Sequence, residues 1–204
     1  MGKLKPGMSK DDALASGELG PAPISSVTKC DFYPYADGPK PDPERMAADV
    51  AVEKAYEDAQ KVADEAEAKV GEMPGHGASA EEFAAYAERN ADAAEASSKA
   101  TDAIAESTKR ISERVQAMNA SGTVSFGEGK LRLVGAPPEA KTPEGIGRGS
   151  TEDQLKQAYQ DIKLASEGHY EVAVADQPDW KFYFDVEQGK VVYFLLLNPK
   201  ANCP

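Results

Sequence analysis

Two long proline-free runs in the middle of the chain limit what this sequence can fold into more than any other feature. Residues 44–73 and 79–120 are rich in Ala, Glu, Lys and Asp, and a breaker segment, residues 74–77, separates them. Ala, Glu and Lys lose little conformational freedom in a helix, so this composition favours helix over strand. The two runs therefore predict two antiparallel helices joined by a short turn.

Small and apolar residues within these runs are spaced as in a coiled coil. In the second run, steps of four and three residues alternate from Phe83 to Met118. Because most of these residues are Ala or Ser, the helices should pack closely but bury little apolar area, and we expect the hairpin to depend on the rest of the chain or on a partner. The predicted seam positions are Ala48, Val52, Ala55, Ala59, Val62, Ala66 and Met73 in the first run, and Phe83, Ala87, Asn90, Ala94, Ser97, Thr101, Ile104, Thr108, Ile111, Val115 and Met118 in the second.

The remainder of the chain contains one motif twice, which predicts a duplicated fold. Residues 4–13 align with residues 146–155, and each copy has an apolar residue, a Gly turn and then Ser9 or Thr151 at a helix N-cap position. Gln154 completes a capping-box pattern in the second copy, and acidic residues in both first turns suit the positive end of a helix. Each half then continues as a helix followed by three strands.

Alternating apolar residues predict the strands. We expect an α+β fold in which two helix-plus-three-strand repeats form an antiparallel sheet with helices on one face. A discontinuous base domain, residues 1–42 and 121–204, would be interrupted by a long antiparallel coiled-coil hairpin, residues 43–120. The predicted helices of the base are 9–17 and 152–162, and the predicted strands are 24–33, 123–126, 130–134, 169–175, 180–186 and 191–198.

The charge of the chain excludes some partners. Lys and Arg number 23 against 35 Asp and Glu, a net charge of −12, which argues against binding a nucleic-acid backbone. Residues 43–120 hold 17 acids and 9 bases, so 17 − 9 = 8 of these negative charges lie there, which is typical of a solvated helix surface. We expect no membrane span, because no apolar run approaches about 20 residues. Met1-Gly2 precedes no signal-peptide pattern and is typical of a trimmed or a cytosolic chain.

The two cysteines are far apart in the sequence. Cys30 and Cys203 could form one structural disulfide or remain two inert buried thiols, and they are too few for a metal site. We favour the disulfide, which would tie the C-terminus to the first half of the chain and indicate an exported protein.

The repeated helix starts and the strands that follow them resemble the beta-lactamase inhibitory protein and SmpA/OmlA lipoprotein folds. The resemblance is closer to small secreted actinobacterial proteins, and it covers residues 2–34 and 122–204. It implies export, and the inhibitory protein implies that a sheet face holds another protein. No inhibitory loop is recognisable, so the resemblance does not extend to inhibition of a beta-lactamase. The matching segments are residues 4–9 with Ala13 and Gly17, Cys30, residues 142–151 with Ala158 and Tyr159, and Cys203.

Candidates for an active site are few. His76 lies in the predicted turn between the helices, and His169 opens a strand but has no G-x-S-x-G nucleophile motif to serve. The glycine-rich residues 145–151 could cradle a phosphate, yet the Walker lysine is absent, and a tight turn with an N-cap also explains them. The alternating row Trp180, Phe182 and Phe184 could bind a partner but is more typical of sheet core. We therefore expect no catalytic residues, no cofactor and no metal.

These observations favour a non-catalytic exported protein-binding module that presents its helical hairpin to an exported or cell-surface protein. The alternative is a secreted inhibitor or immunity protein that binds an enzyme or toxin through its sheet face or loops. An enzyme and a purely structural spacer are further alternatives, and a harmless loop insertion would also explain the hairpin. The residues expected to contact the partner are Pro74, His76, Glu81, Glu82, Phe83, Tyr86, Glu88 and Asp92.

Overall fold

The computed structural model describes residues 2–26 and 30–203 and has an α+β fold. Its helices are α1 (Lys10–Ala15), α2 (Pro43–Val70), α3 (Ala80–Ser121) and α4 (Glu152–Ala158). Its strands are β1 (Phe32–Pro34), β2 (Thr123–Gly127), β3 (Lys130–Gly135), β4 (Lys163–Ser166), β5 (His169–Val174), β6 (Gln177–Glu187) and β7 (Lys190–Leu197). Among the described residues these strands form one sheet in the order β1-β2-β3-β7-β6-β5-β4, and every pair is antiparallel. The predicted fold class is confirmed.

The chain divides into two compact units. Met1–Asp42 and Arg114–Pro204 form one, which we call the base unit, and Pro43–Glu113 form the other, which we call the hairpin unit. The division falls inside α3, so the last turns of this helix belong to the base unit.

The base unit repeats the same hydrogen bonds in its two halves. The Lys10 amide donates to the Gly129 carbonyl in the β2–β3 turn, and the Glu152 amide donates to the Gly189 carbonyl in the β6–β7 turn, both at 2.9 Å. Leu4 and Ile146, which the motif alignment pairs, are both buried. Each helix start is thus fixed to the turn of the following β-hairpin, and the last strands of the two halves, β3 and β7, pair at the centre of the sheet.

The helical hairpin replaces a β-turn in this duplicated pattern. In the second half, the two residues 175–176 connect β5 to β6. In the first half, the chain leaves β1 and returns as β2 only after α2 and α3, yet the two strands still pair, with Tyr33 opposite Val124. Because the entropy of loop closure rises slowly with length, a long insertion at a turn costs little stability.

The core of the base unit lies on one face of the sheet. Phe182 and Phe184 pack against Tyr159 and against Phe194, with ring centroids 5.6 to 6.4 Å apart. Ala13 of α1 and Leu155 of α4 join the same buried cluster. The predicted placement of helices over one sheet face follows from this shared core.

Three local predictions need correction. Residues 24–33 do not form the single strand that was predicted, since Ser25 pairs with Phe32 and the chain therefore folds back on itself. Residues 27–29 of this segment lie outside the described residues, as does Met1. The helix predicted to reach Ile162 ends at Ala158, where extended Tyr159 caps it. Strand β4 was missed because all four of its residues are exposed at the sheet edge and show no apolar alternation.

Cys30 and Cys203 form the predicted disulfide, with Cα atoms 5.3 Å apart. The bond closes a loop across a separation of 173 residues. It holds the C-terminal segment beside the start of β1, inside the base unit.

We expect replacement of both cysteines by serine to lower the free energy of unfolding of the base unit by about 5 kcal/mol. Without the cross-link, the unfolded chain regains the conformational entropy of an open loop. Urea denaturation followed by tryptophan fluorescence measures the change. Intact-mass analysis of the unreduced protein gives the control, since two free thiols would contradict the assignment.

The hairpin unit is held by a seam of small residues. Ala63 of α2 is buried with Ala96 and Ala100 of α3, and Ala59 and Ala66 pack against them. Two side chains define the register at either end of this seam. Arg110 Nη1 lies 3.2 Å from Asp49 Oδ1, and Arg89 Nε donates to the Val70 carbonyl at 3.1 Å. The contacting residues are spaced as in an antiparallel coiled coil: on α2, for example, residues 59, 63, 66 and 70 follow one another at steps of four, three and four.

The seam lies one residue away from the predicted seam in α3. The predicted positions Phe83 and Ile104 are 42% and 44% exposed, whereas Ala96 and Ala100, each one residue before a predicted position, are buried. In α2, the predicted positions Ala59 and Ala66 do pack against the seam, whereas Val62 is 56% exposed and Met73 lies beyond the helix end. Alanine faces alanine because only small side chains permit this close helix approach, so the larger apolar residues remain outside.

Introducing a large side chain at adjacent positions tests the corrected register. We expect Ala100→Phe to destabilise the hairpin unit by about 1–3 kcal/mol, because the seam has no room for a ring. Thr101→Phe should change the stability of the hairpin unit by less than about 0.5 kcal/mol, because Thr101 is exposed. Thermal unfolding followed by circular dichroism at 222 nm distinguishes them, and the predicted seam would give the opposite order.

Candidate functional site

The turn between α2 and α3 is built from helix-terminal signals. Helix α2 ends at Val70, and Gly71 follows with a positive φ of 68°, as a C-terminal glycine cap requires. At the start of α3, the Glu82 amide donates to Ser79 Oγ at 3.2 Å, and the Ser79 amide donates to Glu82 Oε2 at 2.6 Å. Hydrogen bonding from the Ser79 backbone amide, and then from its side chain, lowers the pKa of the Glu82 carboxyl. Glu82 therefore has a structural role as half of a capping box.

The eight predicted contact residues do not share one face. Pro74 and Tyr86 are half-buried, and the other six are exposed. At 100° per residue, Glu88 and Asp92 lie about 140° and 180° from Phe83 around the axis of α3. They remain a prediction, but a flat partner could not touch all of them together.

A groove between the two helices is a concave surface of the hairpin unit. Its volume is about 720 Å³. Ala63 and Ala100 of the seam and the half-buried Ala93 form its floor, and residues of α2 and α3 form its two walls. The α2 wall consists of Gln60, Asp64 and Glu67, and the α3 wall consists of Asn90, Ala94, Ser97, Thr101 and Ile104.

The α3 wall is part of a longer uncharged stripe. The stripe runs from Phe83 to Ile111, and most of its residues each follow a seam residue by one position. Each member except Ile111 is exposed. We call this surface the α3 stripe; it consists of Phe83, Ala87, Asn90, Ala94, Ser97, Thr101, Ile104, Thr108 and Ile111. The heptad spacing seen in the sequence is therefore real, but this stripe faces solvent.

The α2 wall is negatively charged. Gln60 donates to Asp64 Oδ1 at 2.8 Å, which leaves the carboxylate charge in place. Within the described part of the chain, no basic side chain forms an ion pair with Asp64 or Glu67. By contrast, Asp58, which does not line the groove, pairs with Lys54 at 2.8 Å. The groove thus combines an uncharged wall with an acidic one. Sequence reasoning missed it because it placed the stripe inside the seam.

The two faces of the sheet differ in burial. Trp180, Phe182 and Phe184 are buried in the core, so they cannot be a binding surface without unfolding. On the opposite face, Tyr183 pairs with Leu195 and Leu133 pairs with Leu197, and all four are only half-buried. This second face is the one that could meet another protein.

The glycine-rich loop is a structural turn. Gly149 has a φ of 83° and donates its amide to the Val191 carbonyl at 2.8 Å. The amides of Gly145, Gly147 and Thr151 donate to Thr142, Ser150 and Gln154 respectively. A phosphate cradle needs free amides, and these are already committed to protein acceptors. The interpretation as a turn with an N-cap explains the loop.

Arg148 and the motif residues beside it also have structural contacts. Its guanidinium donates to the Asn119 carbonyl at the end of α3 and, at 3.3 Å, to the Ala136 carbonyl, and it lies over the Tyr193 ring. The Tyr159 hydroxyl donates to the Glu144 carboxylate. Burial and this acidic neighbour raise the pKa of Tyr159. Residues 142–151 thus join helix ends to the sheet.

His169 forms an exposed pair with a carboxylate. Its Nδ1 lies 2.7 Å from Asp185 Oδ1, and the two side chains are 59% and 38% exposed. A solvated pair of this kind contributes at most about 1 kcal/mol. His76 is exposed in the turn. No cluster of three or more His, Cys, Asp or Glu residues suited to a metal ion occurs among the described residues.

Comparison with known proteins gives no family: no protein-family model, curated protein or solved structure matches this chain. Within the described residues, no helix is long and apolar enough to cross a membrane. The surfaces of the molecule are therefore the basis for inferring its function.

The capping box at Thr151 gives a stability prediction. The Gln154 backbone amide donates to Thr151 Oγ1 at 3.2 Å, and the Thr151 backbone amide donates to Gln154 Oε1 at 2.9 Å. We expect Thr151→Ala to cost about 1 kcal/mol in urea denaturation, because the Gln154 amide loses its acceptor. Thr151→Ser keeps the hydroxyl and should cost clearly less. Equal losses in the two variants would contradict a capping role.

Proposed function

We propose that this chain is a non-catalytic, exported protein-binding module that uses its hairpin unit to hold a partner protein. The observation that carries the proposal is the mismatch within this unit. Its seam buries alanine, whereas larger apolar side chains, including Val50, Val62, Phe83 and Ile104, remain exposed.

This mismatch limits the stability of the hairpin unit on its own. Burial of apolar area stabilises by about 25 cal/mol per Å², so an alanine seam gives a long helix pair little stability. The two helices have 28 and 42 residues, and ordering their backbones opposes folding throughout. A partner that covers the exposed apolar residues would supply the missing burial, which a loop insertion without a role would not need.

Export is part of the proposal. The disulfide between Cys30 and Cys203 supports it, because such bonds persist in oxidising compartments. The resemblance to small secreted proteins with the fold of the beta-lactamase inhibitory protein remains a prediction and also implies export. The committed amides of the glycine-rich loop and the solvated His169–Asp185 pair support a role without catalysis.

A second function is favoured by one observation. The half-buried row of Leu133, Tyr183, Leu195 and Leu197 offers an apolar sheet face. An inhibitor or immunity protein could hold its target there, as the resemblance implies. In that case the hairpin unit would not be needed for binding.

Replacing residues 43–113 by a short Gly-Ser linker separates the two functions. The base unit should retain its disulfide and its tryptophan fluorescence, which are the folding controls. We expect the full chain to capture a specific partner from the exported fraction of the cells that make it, and the linker variant to lose that capture at least about tenfold. Capture that survives the replacement would move the binding site to the base unit and favour the inhibitor function.

A further inference from the structure

We propose that the hairpin unit binds a basic amphipathic α-helix, which lies in the groove between α2 and α3. This inference rests on the proposed function and specifies the class of partner. The helix would place bulky apolar residues against the α3 stripe and lysine or arginine residues against Asp64 and Glu67.

The shape of the groove suits a helix. The distance from Asn90 to Ile104 along α3 corresponds to about 21 Å, or four turns of a partner helix. Its floor of alanines and its wall of Ala94, Ser97 and Thr101 leave space for larger side chains. Helices in bundles pack by inserting such side chains between small ones. A helix would therefore bury the exposed Ile104 and extend the pair of helices to three.

The charges that line the groove determine which charge a partner helix must carry. The nine positions of the α3 stripe, from Phe83 to Ile111, hold no Asp, Glu, Lys or Arg. Charge is confined to the α2 side, where Asp64 and Glu67 have no ion-pair partner among the described residues. A partner helix with a basic row along one flank could pair with the acidic α2 wall while its apolar side packs against the uncharged α3 wall. An acidic helix would be repelled by α2.

A second copy of this chain is a poorer occupant. Residues 43–120 carry 8 of the 12 net negative charges, as counted above. In a two-fold dimer through this face, the acidic wall of each copy would approach an acidic hairpin unit and find no basic row. The opposite charge must come from a different protein.

The probe for this inference is a synthetic 21-residue helical peptide with leucine on one stripe and lysine along both flanks. A matched peptide carries glutamate in place of lysine. Fluorescence anisotropy with the full chain at low salt should show the lysine peptide binding at least about 30-fold more tightly. Its affinity should fall as salt rises.

Charge reversals locate the site on α2. We expect Asp64→Lys with Glu67→Lys to weaken binding of the lysine peptide about tenfold, because two attractive contacts become repulsive. The matched control is Asp58→Lys with Glu65→Lys, which makes the same charge change on α2 at two positions that do not line the groove. It should weaken binding less than about twofold. Equal losses from the two pairs would show unspecific attraction and overturn the inference.

A second pair of variants tests the apolar wall of α3. Ile104→Lys places a charge in the groove and should weaken binding about tenfold, whereas Ala105→Lys, one residue away and outside the groove, should not. Circular dichroism checks that both variants keep their helices, which their exposed positions predict.

The outcomes separate this inference from the proposed function. If neither peptide binds, or if Ile104→Lys has no effect, the groove inference is wrong. The proposed function would still stand if capture of the partner is lost with residues 43–113. If light scattering shows a dimer that Ile104→Lys dissociates, the occupant is a second copy, which contradicts the inference.

Discussion

Alanine at the closest approach of α2 and α3 limits how much apolar area the hairpin unit can bury for itself. Ala63, Ala96 and Ala100 bring the helices together, and their methyl groups give each contact little hydrophobic stabilisation. The same close approach leaves larger residues such as Phe83 and Ile104 on the surface beside the seam. The groove, its uncharged wall and the proposed partner all follow from this choice of small residues.

The base unit shows why such a unit can be inserted without loss of the fold. Its two halves repeat the contact between a helix start and a β-hairpin turn, and β3 and β7 join the halves at the centre of the sheet. The insertion enters where the other half has a two-residue turn, while β1 and β2 remain paired. Arg148 then ties the end of α3 to the base through the Asn119 carbonyl, and the disulfide holds the C-terminal segment.

Much of the architecture could be predicted because it depends on local signals. The caps at Ser9, Ser79 and Thr151 and the turns at Gly129 and Gly189 act within a few residues of themselves. The seam could not be placed, because α3 carries two adjacent stripes with the same spacing. Periodicity identifies both stripes but does not say which one meets α2. Larger side chains suggested the outer stripe, whereas close packing selects the smaller one. The predicted contacts at the tip failed to form one face for the same reason, since the rotation of α3 was unknown.

The central claim is that the α3 stripe is open in the free protein and is covered by the partner. Hydroxyl-radical footprinting of the free and partner-bound full chain tests it most directly. Ile104 and Met73, which are 44% and 70% exposed, should both be oxidised in the free protein. Binding should protect Ile104 and leave Met73, which does not line the groove, unchanged. Protection of Ile104 in the free protein, or protection of Tyr183 and Leu195 in its place on binding, would contradict the account.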